Sequence, residues 1–120
     1  MFNFEKLDVW NKAIAIADLV YGITRSFPNE ERFGLTSQMR RAAVSISSKL
    51  AEGSSRSSRV DFARFVELST GSLFELISQA ILCRRQSLLS DVEYLQLHQM
   101  CEEQSKMLSG LHRSLLQAAR

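Results

Sequence analysis

One proline, Pro28, interrupts a chain of 120 residues in which apolar side chains recur at three- and four-residue steps. A strand would alternate apolar and polar residues, and no stretch does so convincingly, whereas the stripe of an amphipathic helix appears four times. The first stripe covers residues 7–26, with Val9/Trp10, Ala13/Ile14, Ala17, Val20/Tyr21 and Thr24 in register. Phe27-Pro28 ends it, because the residue before proline is pushed out of the α region. The second covers 34–53 and closes at Gly53, a natural residue for the left-handed position after a helix. The third, 58–86, opens at Ser58 with Asp61 three residues on. The fourth, 90–118, opens on the capping box Ser90-Asp91-Val92-Glu93.

Breakers of only a few residues force consecutive helices to run antiparallel. The expected fold is therefore all-α, an up-down-up-down antiparallel four-helix bundle occupying one domain, residues 1–120. A third helix of this length spans roughly 42 Å, so the molecule should be elongated. That helix is also apolar around more of its circumference than one stripe needs, through Val60, Phe62, Phe65, Leu68, Phe74, Ile81 and Leu82 among others. Part of it is therefore expected to face another subunit in a homo-oligomer, the alternative being that it contacts both neighbours within its own bundle.

The 45% hydrophobic fraction is ordinary for a globular chain, and the longest uninterrupted apolar run is Ala13 to Ala17. With no basic-then-apolar leader at Met1–Glu5, the expectation is a cytoplasmic protein with no membrane partner. Cys83 and Cys101 lack CxxC spacing and fall within helical segments, which marks them as reduced core thiols. His98 and His112 lie about 21 Å apart along one helix and cannot share a metal within one chain. No nucleophile–base arrangement, phosphate loop or Glu-x-x-His pair appears, so the chain reads as a non-enzyme with no cofactor, metal or catalytic residues.

Charge is distributed unevenly. Residues 40–64 hold six cations (Arg40, Arg41, Lys49, Arg56, Arg59, Arg64) against Glu52 and Asp61, a local +4 within a chain whose formal charge is +2. Such a strip can bind phosphates of RNA or DNA, through bidentate guanidinium contacts and counterion release. It can equally be a solvated face, and no aromatic residues interleave with it to stack on bases. Ser54-Ser55-Arg56-Ser57-Ser58-Arg59 has the ingredients of an anion site, or of a turn that caps its own helix. Glu52 meets the negative end of its helix and needs compensation, by Arg56, Arg59 or a neighbouring subunit. Gly71, in mid-helix, suggests close approach of helices two and three opposite Arg40 or Arg41.

The ordered set Val9-Trp10, Phe27-Pro28, Phe33-Gly34-Leu35, Gln38-x-Arg40-Arg41-Ala42, Ser45-Ile46, Ala51-Glu52-Gly53 and Gly71-Ser72-Leu73-x-Glu75-Leu76 resembles the bacterial four-helix-bundle protein family. That family is also called the ribosomal RNA intervening-sequence protein family. The resemblance spans nearly the whole chain. It implies an up-down-up-down bundle assembled as a homopentamer, encoded in some members within ribosomal RNA genes. Other members are accessory proteins of reverse transcriptases in diversity-generating retroelements, binding nucleic acid and the polymerase through a basic surface. The sequence departs from the family pattern where a proline is common at Ser47 and an asparagine at Lys49. The expected function is thus a non-catalytic, oligomeric nucleic-acid-binding or reverse-transcriptase accessory protein. The alternative is a protein-interaction scaffold with no nucleic-acid binding.

Overall fold

The computed structural model describes residues 1–118, with side chains through residue 117. Four helices form: α1 (Asp8–Thr24), α2 (Leu35–Ser54), α3 (Arg59–Arg85) and α4 (Asp91–Ala118), each end within two residues of its expected place. Two short 3₁₀ turns, Asn3–Lys6 and Asn29–Glu31, were not legible as periodicity. Among the described residues there is no strand. Each helix packs on its neighbours in sequence and α1 closes the ring against α4, giving a bundle of 48 × 21 × 21 Å. The run is antiparallel: Gly53 at the end of α2 meets Phe62 and Phe65 at the start of α3, while Met39 lies by Cys83.

Fully buried Ile16, Met39, Ile46, Leu50, Leu73, Leu76, Leu97 and Leu108 fill the centre. Two polar side chains pin the packing from within. Ser69 Oγ donates to the Ile46 carbonyl at 2.8 Å, fastening α3 to α2, and Gln104 Nε2 donates to the Val9 carbonyl at 2.9 Å, fastening α4 to α1. The caps sit as expected. Ser58 Oγ accepts from the Asp61 amide at 3.0 Å, and Ser90 and Glu93 exchange both bonds of a capping box.

Both glycine expectations fail, for physical reasons. Gly53 does not terminate α2 in a left-handed turn; it is a buried helical residue, and glycine is needed there because an added Cβ would lie 2.7 Å from Phe65 Cβ. Ser54 and Ser55 hydroxyls take the last carbonyls instead, bonding Ala51 O and Glu52 O. The left-handed residue is Ser87 (φ 59), which closes α3 as a Schellman motif with Leu88 N bonded to Cys83 O and Ser87 N to Arg84 O. Gly71 is exposed, and a Cβ there would meet nothing within 4 Å, so it mediates no helix contact.

α3 uses one side for the core, through Phe65, Val66, Leu73 and Leu76, and leaves Val60, Leu68, Phe74, Ile81 and Leu82 exposed. By length and composition alone it could pass for a membrane span, with mean hydropathy 1.2 over its most apolar window, one third of it buried in the bundle. Counting uninterrupted apolar runs misses this, since Glu67 and Glu75 break the run without lowering the average far. Cys83 and Cys101 are free and buried. Burial pushes Cys83 up to about 11, with the Glu31 carboxylate adding to the shift, and Cys101 up to about 12.

Candidate nucleic-acid interface

The outer face of α2 holds the first half of the basic strip. Met39, Ala43, Ile46 and Leu50 turn inward, which sends Arg41, Val44 and Ser48 to the surface and puts Arg40 at the edge facing α1. Arg40 is fixed there. Its Nε donates to Thr24 Oγ1 at 2.9 Å and its guanidinium carbon lies 4.5 Å from the centroid of the Tyr21 ring. Thr24 in turn donates to the Val20 carbonyl at 2.7 Å, so its oxygen is oriented to accept. Around this stack a groove of about 440 Å³ collects Tyr21, Arg40, Arg41, Val44, Ser48 and Lys49.

The second half of the strip is engaged differently. Arg56 and Arg64 both lie over the Phe65 ring, at 4.5 and 4.8 Å, and both pair with Asp61, at 3.8 and 3.1 Å. Asp61 thus offsets part of the positive field at the start of α3, and Ser58 caps that helix. Each exposed contact is modest, about 0.5–1 kcal/mol for a cation–π pair, but together they clasp the α2–α3 turn. Glu52 is compensated by Lys49 at 3.4 Å rather than by Arg56 or Arg59. Arg59 is exposed and makes no ion pair among the described residues.

Of the six cations, then, the fold brings Arg40, Arg41 and Lys49 together, commits Arg56 and Arg64 to a clasp, and leaves Arg59 apart. It also supplies what the strip lacked in sequence, an aromatic partner. Tyr21 comes from α1, nineteen residues before Arg40, and keeps 37% of its surface exposed. Antiparallel pairing about the residue 25–34 connection puts the two level, a register that helix boundaries alone could have indicated. The histidines stay apart, His98 Nδ1 lying 2.8 Å from Glu102 Oε1 and His112 Nε2 3.6 Å from Glu67 Oε2.

Fold and groove define a four-helix bundle with a basic, partly aromatic surface. The family model for 23S rRNA-intervening sequence proteins matches residues 5–110, and the chain belongs to that family. No curated protein matches the sequence. A crystal structure from Bacteroides thetaiotaomicron, of a protein with unknown function from the S23 ribosomal protein family, is similar with a TM-score of 0.80. The two share 21% identity over 87% of this chain and 97% of that one, a likeness that speaks for the fold alone.

Proposed function

We propose that this protein is a non-catalytic, oligomeric nucleic-acid-binding protein of the cytoplasm, with the α1–α2 groove as its phosphate-binding surface. The observation that carries the reading is the grouping of Arg40, Arg41 and Lys49 beside the Tyr21 ring. Guanidinium groups match phosphate oxygens, and an arginine held over an aromatic ring offers a cation and a planar group beside it for a base to meet. Arg59 extends the positive field towards the α2–α3 turn. Arg56 and Arg64 serve it less directly, through the shape of that turn.

The resemblance described above adds two elements to the proposal, assembly as a homopentamer and partnership with a reverse transcriptase. Exposed Phe74, Ile81 and Leu82 on α3 support self-association. In a closed ring, five modest grooves act on one polymer through effective concentration. The second reading, a protein-interaction scaffold, draws on the same apolar residues and on the internal use of Arg56 and Arg64. Titration of labelled single- and double-stranded oligonucleotides at two salt concentrations separates them. The proposal expects affinity to fall steeply with salt, with single strands bound more tightly than duplex. Absence of salt-sensitive binding hands the surface to the scaffold reading.

A further inference from the structure

A second groove flanks α2 on its other side, between α2 and α3. It measures about 500 Å³ and is bordered by Gln38, Arg41, Ser45, Ser72, Glu75 and Gln79. All but Gln79 come from the motifs Gln38-x-Arg40-Arg41-Ala42, Ser45-Ile46 and Gly71–Leu76, the last of which lies far from the others in the chain and is left unused by phosphate binding. The fold brings them together, with Ser72 Oγ donating to Ser45 Oγ at 2.9 Å across the helix pair.

The polar groups divide by wall. Arg41 and Gln38 offer donors from α2, and Glu75 offers a carboxylate from α3. Arg41 and Glu75 border one groove, yet among the described residues neither forms an ion pair with the other or with any side chain. Both charges are therefore left without an ion-pair partner among the described residues. Gln79 adds an unspent acceptor, since its Oε1 is buried and has no hydrogen-bond partner among the described residues. A buried acceptor without a donor is costly until a donor arrives, and the amide's broad terminal torsion lets it turn towards one.

A ligand that satisfies both walls needs acceptors on one edge and neighbouring N–H donors on the next. Phosphate has acceptors only and is repelled by Glu75. Guanine has both: O6 and N7 suit the Arg41 guanidinium, while N1–H and the 2-amino group suit the Glu75 carboxylate. Uracil carries a single N–H donor on that edge, and adenine and cytosine only an amino group beside acceptors. In a duplex the guanine donors are already paired, so the base must be unpaired.

We infer that the α2–α3 groove takes the unstacked guanine of a single-stranded nucleic acid whose phosphates lie in the α1–α2 groove, Arg41 and Ser45 being common to both grooves. The inference rests on the proposed nucleic-acid binding and adds base selectivity to it. The test measures fluorescence anisotropy of short uridine oligonucleotides carrying one central guanosine, adenosine or inosine, against wild type, Glu75→Ala and Gln79→Leu, each variant first checked for helicity and melting temperature. Guanosine should bind about tenfold more tightly than adenosine, with inosine, which lacks the 2-amino group, in between. Glu75→Ala should abolish the preference while leaving salt-sensitive binding of the other oligonucleotides undiminished, and Gln79→Leu should reduce the preference. Equal affinities for the three oligonucleotides with salt-sensitive binding intact, or a preference that survives Glu75→Ala, overturns the guanine site and leaves the phosphate groove standing. No binding of any oligonucleotide overturns both.

Discussion

At Gly53 an added methyl would press on Phe65 Cβ at 2.7 Å and Phe62 Cδ1 at 2.8 Å, whereas at Gly71 it would enter open space. The two substitutions should therefore differ in sign. Gly53→Ala should destabilise the protein by about 1–3 kcal/mol through overpacking, and Gly71→Ala should stabilise it by about 0.5–1 kcal/mol through helix propensity. Urea unfolding of both variants checks the pair. Ser87 makes the complementary case, a residue with a Cβ at φ 59 where glycine carries no penalty. Ser87→Gly should raise stability by about 1 kcal/mol, read from the same curves. Glycine identity was visible in the sequence; which glycine the structure needs was not. That depends on two phenylalanines nine and twelve residues beyond Gly53 folding back onto it.

The helices themselves were almost fully legible, because each signal is local. Ser58 with Asp61, Ser90 with Glu93 and Phe27-Pro28 act within one turn, so reading them needs no tertiary knowledge. Ser90→Ala should cost about 1 kcal/mol by leaving α4 uncapped, visible as a lower urea midpoint with an unchanged slope. The core cysteines give the pH test at this scale. Both folded-state values lie above the ordinary thiol's 9.0, so the neutral thiols contribute in full below about 9, and that contribution is lost as pH rises through about 11 and about 12. Stability should decline above pH 9 on this account, and both thiols should resist modification by a thiol reagent near neutrality until denaturant is added.

The basic surface was legible as composition, and its geometry only where helix boundaries fix the register, as for Tyr21 and Arg40. A charge count finds six cations in residues 40–64, but cannot tell that Asp61 and Phe65 claim two of them or that Tyr21 joins three others from a different helix. Those facts are set by the register between helices. The whole molecule also leaves Phe74 58% exposed and Leu82 45% exposed on one long helix. If these residues hold copies together, Phe74→Glu with Leu82→Glu should convert an oligomer into a folded monomer by sedimentation equilibrium. The central claim, that the α1–α2 groove binds while the α2–α3 turn clasps, is tested most directly by measuring oligonucleotide affinity per folded molecule for two double variants. Arg41→Glu with Lys49→Gln should lose the salt-sensitive binding and melt only slightly lower, since Glu52 loses its Lys49 partner; Arg56→Gln with Arg64→Gln should melt lower by more and keep most of its affinity. Equal loss of binding in both pairs, or full binding by the groove variant, would contradict the division.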